Sequence, residues 1–120
     1  MLKPIPARIL RTTATVSVCY GVDMYQNQLY TTHTVKRTHL QPTNEVRKTT
    51  DNTEIVLRSI LFVDGQLSSP RLDWEALLMS AHDVGGDLRV TVRGVEYTVI
   101  GVDALRDDTD HFHHWEVALV

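Results

Sequence analysis

Histidine is the residue type in this chain best suited to chemistry, and three of the six histidines crowd near the end as His111, His113 and His114. In a strand, alternate side chains share a face. His111 and His113 then stand with Trp115, Val117 and Leu119, while Phe112, His114, Glu116, Ala118 and Val120 take the other face. Two imidazoles at that spacing can bind zinc or copper, with Glu116 or a loop aspartate adding an oxygen ligand. That reading makes the chain a metal-dependent β-barrel enzyme. Its further ligands have to come from His33, His39 or His82, and no cysteine pair supports them. Histidines hydrogen-bonded at a sheet end or at a subunit interface account for the same pattern without an ion. We therefore assign no metal, no cofactor and no catalytic residue.

The other chemical candidates are weaker. Asp107, Asp108 and Asp110 lack the glycine and the downstream bidentate glutamate of an EF-hand loop, and read as a solvated turn. Gly85-Gly86 is followed by no Gly-Lys-Ser/Thr, so it is not a phosphate loop. Ser68-Ser69 lacks a nucleophile elbow. Cys19 is the single cysteine. It excludes an internal disulfide and reads as a small buried hydrophobe. Trp74 and Trp115 have no basic flanks, which favours core or interface anchoring over base stacking. Lys36-Arg37 and Arg47-Lys48 read as solvated charge. The expectation is a protein that works by contact and is not an enzyme.

A chain of 120 residues suits one domain, expected to span 1–120, with 42% hydrophobic and 22% charged residues. The net charge of −3 argues against non-specific DNA coating. A single-stranded nucleic-acid binder should instead show a salt-sensitive affinity. Residues 1–60 carry 8 Lys/Arg against 4 Asp/Glu, and residues 61–120 carry 4 against 11. Such an asymmetry helps identical subunits attract head to tail, unless the two halves interleave in the fold and the dipole vanishes. No stretch approaches the roughly 18–20 apolar residues of a membrane span. Met1 to Pro6 lacks the apolar core of a signal peptide, so a cytosolic chain with no membrane partner is expected.

These residues must be positioned mainly by strands, because Val, Thr, Ile and Tyr dominate the long runs. Arg8 to Val22 alternates as a half-buried strand, a turn follows over Gly21 to Gln28, and a second strand runs from Leu29 to Leu40. Thr43 to Asn52, polar around a lone Val46, reads as an exposed loop. Glu54 to Asp64 reads as one continuous central strand. Ser69 and Pro70 look like a helix cap and first helical residue, with Leu72, Ala76, Leu77 and Met79 forming a short amphipathic turn or two. Leu88, Val90, Val92 and Val95, Tyr97, Val99 flank Arg93-Gly94 as a tight hairpin. A final strand, His111 to Val120, closes the domain. The expected fold is all-β, a mainly antiparallel small barrel or sandwich with at most one short helix.

Seven segments recur together: Lys3-Pro4-Ile5-Pro6, Gly21-Val22-Asp23-Met24-Tyr25-Gln26-Asn27, Gln41-Pro42-Thr43, Ile60-Leu61-Phe62-Val63-Asp64, Ser68-Ser69-Pro70, Gly94-Val95-Glu96-Tyr97-Thr98-Val99 and the terminal His113-His114-Trp115-Glu116-Val117-Ala118-Leu119-Val120. In this order they resemble the minor capsid proteins of tailed phages and prophages of Gram-positive bacteria, which are similar to head–tail connector, or stopper, proteins. The resemblance spans nearly the whole chain. It implies a small barrel in a ring beneath the portal or its adaptor, extending or closing the channel for packaged DNA and docking tail proteins. The implied location is the head–tail junction of the virion, with the host cytoplasm during assembly. Another neck or tail-completion subunit is the neighbouring alternative. By position, the channel or partner loop is Thr43, Asn44, Glu45, Arg47, Lys48, Thr49, Asp51 and Asn52, and Trp115 is an expected interface residue.

Overall fold

Inward-pointing branched residues at every second position set the wall of the molecule. In a computed structural model, residues 10–48, 51–106 and 112–120 are described. The elements are β1 (Thr12–Val22), β2 (Gln28–Pro42), β3 (Val46–Lys48), β4 (Glu54–Val56), β5 (Ser59–Asp64), α1 (Trp74–Asp83), β6 (Leu88–Val92), β7 (Val95–Arg106) and β8 (Phe112–Leu119). Six strands close an antiparallel barrel in the order β1-β2-β5-β8-β7-β6, and β3 and β4 form a separate two-stranded ribbon. Ala14, Val16 and Val18 of β1 face inward, as do Leu61 and Val63 of β5, Leu88, Val90 and Val92 of β6, Tyr97 and Val99 of β7, and Val117 and Leu119 of β8. The fold is thus the mainly antiparallel barrel with one short helix that the sequence suggests.

Because neighbouring strands alternate in direction, the connections sort to two ends. One end carries the β1–β2 turn and the segment leaving β5. The other carries the ribbon, inserted between β2 and β5, and the β6–β7 turn. At that second turn Arg93 (φ 51°) and Gly94 (φ 79°) both adopt left-handed backbone, the requirement of a two-residue hairpin, and Val92 pairs with Val95.

Three expectations need correction. Glu54 to Asp64 is not one strand: it breaks at Leu57-Arg58, where Leu57 is buried and Arg58 N–H donates to the Leu119 carbonyl at 2.8 Å. Its first part belongs to the ribbon. Thr43 to Asn52 is accordingly not an open loop, since Val46–Lys48 is a strand of that ribbon. The helix does not start at Pro70. Ser69 exchanges backbone hydrogen bonds with Lys36 (2.8 and 3.2 Å), which keeps it extended against β2. The cap is Asp73, whose carboxylate accepts from Ala76 N–H at 3.1 Å. The buried stripe of α1 runs through Trp74, Leu77, Leu78 and Ala81, a spacing that one helix face provides. Ala76 and Met79 point to solvent.

The helix packs against β1, β6 and β7. Its exit is tight. A Cβ at Gly86 would land on the Cys19 side chain, so glycine lets the chain pass over this fully buried thiol into β6.

Candidate functional site

Two features project from the closed wall, one near each end, and a groove lies in the wall itself. The ribbon holds most of the residues expected in the channel loop. Val46 pairs with Val56, Arg47 with Ile55 and Lys48 with Glu54. Arg47 turns towards the barrel, where its guanidinium meets Asp103 of β7 at 3.2 Å and Glu45 at 3.1 Å. Ile55 shares that face, by register, and Val46 and Val56 share the opposite one, 53% and 57% exposed. The ribbon's base is fixed by Leu57 N–H donating to the Glu45 carbonyl (2.8 Å) and Thr43 N–H to the Arg58 carbonyl (3.0 Å). Asn44, Asp51 and Asn52 are exposed around it, and Asn52 adopts φ 67°. Thr49 lies outside the described residues. The signal for this ribbon was present: Asp51-Asn52 is turn chemistry between two short branched runs, Val46 and Ile55-Val56.

The second projection is an arm that the sequence reading treated only as a turn. Beyond Val18, β1 has no barrel strand on its outer side, because pairing with β6 ends at Val18 and Leu88. β2 has no β5 partner before Thr38. Among the described residues the outer halves of β1 and β2 therefore pair with each other, apart from the Cys19 N–H bond to the Asp87 carbonyl (3.3 Å) and the bridge at Lys36. Met24 (84% exposed) and Tyr25 (77%) crown this arm, with Tyr20, Val22 and Leu29 exposed below them. The tip is ordered by Asp23, whose Oδ1 accepts from Tyr25 N–H (2.8 Å) and Asn27 N–H (2.9 Å). The Asn27 amide bond, chiefly, holds the Asp23 carboxyl below its ordinary pKa.

The arm's root is tied to β6. The Tyr30 hydroxyl stands 2.7 Å from Gln28 Oε1 and 2.8 Å from Asp87 Oδ1, and Arg89 lies 5.4 Å over the Tyr30 ring. Burial, then the hydrogen bond to Asp87, pushes the Tyr30 phenol up to about 12. Arg89 also pairs with Asp87 (3.0 Å) and Glu96 (2.9 Å), and the Asp87 bond is the first cause of its raised pKa.

Trp115 is half-buried against the core and 4.9 Å from the Phe112 ring. Both line an open groove of about 400 Å³ with Val63, Asp64, Arg71 and Leu72. Asp64 is occupied internally, accepting from Gln66 and Leu67 N–H at 2.8 and 2.7 Å.

Of the histidines in the metal reading, His113 and His114 meet each other, while His33, His39 and His82 stand apart from His113 among the described residues. His114 Nε2 lies 3.2 Å from Glu116 Oε2, and the Nδ1 atoms of His113 and His114 are 2.6 Å apart. Phe62 sits between His39 and His114, with ring centroids at 5.8 and 6.0 Å. His33 is elsewhere on β2, and His82 is in the last turn of α1. Among the described residues no three His, Cys, Asp or Glu groups gather as ligands. His111, Asp107, Asp108 and Asp110 lie outside the described residues.

Among the described residues the charge asymmetry of the sequence is blurred in space. The barrel order puts β1, β2 and β5 on one side and β8, β7 and β6 on the other, so the two halves of the chain do not interleave. Arg11, Lys36 and Arg37 belong to the first side together with Asp23 and Asp64, while the Arg58 guanidinium lies 4.8 Å over the Tyr97 ring of β7. Asp87, Glu96, Asp103 and Glu116 belong to the second, where Arg89 is held by two of them and Arg93 and Arg106 stand at strand ends.

No helix among the described residues is long and apolar enough to cross a membrane. A family model described as minor capsid protein matches residues 6–119 of the chain. No curated protein matches it.

Proposed function

The chain belongs to the minor capsid protein family and is a structural component of a phage virion; from that premise we propose that it acts at the head–tail junction. In this reading the barrels form a ring beneath the portal or its adaptor, extend or close the channel for packaged DNA, and offer tail proteins a docking surface. The relation to stopper proteins and the Gram-positive host, both implied by the resemblance, belong to the same proposal.

The observation that carries the reading is the ribbon. It is a short hairpin inserted between two barrel strands, held at a set angle by Arg47 and Asp103. Its charges are mixed, with Arg47 and Lys48 beside Glu45, Asp51 and Glu54. A tight DNA clamp needs an excess of cations to neutralise phosphates, and this element has none. Its outward valine pair and balanced charge suit contact with the ribbons of neighbouring copies, which closes a channel without gripping what passes through it.

The test is co-sedimentation of the chain with DNA-filled, tailless capsids of a matching phage. Stoichiometric binding at the portal vertex with reduced DNA leakage is expected. Replacing residues 45–56 by a short turn should preserve binding and restore leakage. No binding at the vertex, or full DNA retention without the ribbon, overturns the reading.

A further inference from the structure

The arm and the groove are complementary in chemistry, and neither is covered by another element among the described residues. The arm exposes Tyr20, Val22, Met24, Tyr25 and Leu29 together, a concentration of apolar surface that isolated soluble domains avoid. It also leaves the outer edge of β2 without a barrel strand over residues 28–35, and an unpaired edge beside apolar side chains invites coverage by another chain. The tip is nevertheless not a loose loop. Asp23 fixes the turn and the Tyr30–Asp87–Arg89 network fixes the root, so little order has to be gained on docking.

The groove supplies the counterpart. Phe112 and Trp115 form an aromatic wall, Leu72 adds an aliphatic patch, and about 400 Å³ is room for one or two side chains of the arm's size. Arg71 on its rim is exposed and makes no ion pair among the described residues. The arm tip carries one formal charge, the Asp23 carboxylate.

Position argues for a second copy as the occupant. Arm tip and groove lie at the same end of the barrel but on different strands, the arm on β1–β2 and the groove at the seam of β5 and β8. Copies that share one orientation can therefore place the arm of each against the groove of the next, a head-to-tail contact that closes into a ring when its rotation permits. The one formal charge at the arm tip, Asp23, then meets Arg71 on the rim of the neighbour's groove.

We propose that the β1–β2 arm of one copy docks, through Met24 and Tyr25, into the Phe112–Trp115–Arg71 groove of a second copy. The proposal deepens the ring reading above by naming its contact. It rests on that reading only for the ring, since a pair of copies suffices to test the docking itself.

The experiment uses sedimentation velocity on the full chain and two surface variants, each checked for an unchanged melting profile. Met24→Ser/Tyr25→Ser removes the arm's anchors, and Arg71→Glu sets a negative charge against Asp23. Wild type should self-associate with concentration, and each variant alone should bind itself at least about tenfold more weakly. Mixed together, the variants should recover a one-to-one dimer and nothing larger, because only one intact arm meets one intact groove. A wild-type monomer up to about 1 mM, association undiminished in both variants, or no recovery on mixing overturns the proposal. Capsid binding measured in parallel separates the two readings. A chain that binds capsids but never itself refutes the arm contact alone, and one that self-associates but ignores capsids refutes the head–tail placement alone.

Discussion

Removing the Arg47–Asp103 pair should loosen the ribbon while leaving the barrel almost untouched. The pair is 3.2 Å long, with the Arg47 side chain 29% and the Asp103 side chain 57% exposed. At that exposure an ion pair contributes roughly 0.2–1 kcal/mol, since water screens the attraction and two side chains lose freedom. A loss of about 1 kcal/mol corresponds to a melting shift of only about 4 °C in a domain of this size. Locally the same energy matters more, because it changes the ribbon's opening equilibrium by about fivefold. The assay is a double-mutant cycle with Arg47→Ala and Asp103→Ala, read by hydrogen exchange at the ribbon amides and by thermal melting. Exchange in β3 and β4 should accelerate up to about fivefold in either single variant, with little added in the double. Leu57 N–H, bonded to the Glu45 carbonyl beneath a buried side chain, should stay protected and mark the boundary of the effect. High salt should reproduce part of the acceleration in wild type and none in the double variant. Unchanged ribbon exchange in both single variants would falsify the claim that this pair sets the ribbon's angle. A melting drop beyond about 8 °C would do the same, by showing that the pair supports the barrel.

Three further outcomes follow from the packing. Tyr30 has a folded pKa raised to about 12 from the phenol's ordinary 10.0, so its contribution is fully present below pH 10 and is lost as pH rises towards 12; phenolate absorbance and melting temperature should show this loss in wild type and not in Tyr30→Phe. Trp74 is fully buried and its indole N–H has no hydrogen-bond partner among the described residues; Trp74→Phe should cost little, because removing an unsatisfied donor offsets the smaller ring, whereas Trp74→Ala should cost about 3–5 kcal/mol in a denaturant titration. Gly86→Ala should destabilise by about 1–3 kcal/mol, because its methyl meets the buried Cys19 side chain, and adding Cys19→Ala should relieve part of that loss.

What was legible in the sequence was local. Alternation around Arg93-Gly94 is satisfied within twelve residues, Leu88 to Val99, and the hairpin formed where the glycine required it. The inward set of β1 was likewise readable from Val16 and Val18 against Thr15 and Ser17. What escaped depends on distant partners. Ser69-Pro70 carries a good helix-start signal, but the backbone of Ser69 is taken by Lys36, thirty-three positions away, and Asp73 becomes the cap. Ile55-Val56 and Ile60 to Val63 read as one apolar run, because the break at Leu57-Arg58 is made by Leu119, from the far end of the chain. The arm was hidden for a similar reason. Tyr20, Met24 and Tyr25 look like ordinary turn-flanking residues until the points where β6 and β5 stop pairing are known. For the candidate site, the residues expected in the channel loop fall in and beside the ribbon, yet its geometry was not legible, since Arg47 takes its direction from Asp103 on β7.

Closure of the barrel constrains how such a protein can work. The six wall strands spend their inward side chains on a shared core, from Val16 on β1 round to Val90 on β6, and closure removes sheet edges wherever strands pair on both sides. Function by contact then falls to whatever escapes closure: the arm, where β1 and β2 outrun their neighbours, and the ribbon, where the chain leaves the wall between β2 and β5. Alternating strand direction puts these at opposite ends, because the β1–β2 turn and the β2–β5 connection terminate the same strand, β2. In the ring proposed above, the arm that joins copies and the ribbon near the axis are kept apart in this way, so each can change without repacking the other. The separation is a property of β2 itself. Its fifteen residues, Gln28–Pro42, are longer than any partner's run against them, and the excess length at its start becomes the arm.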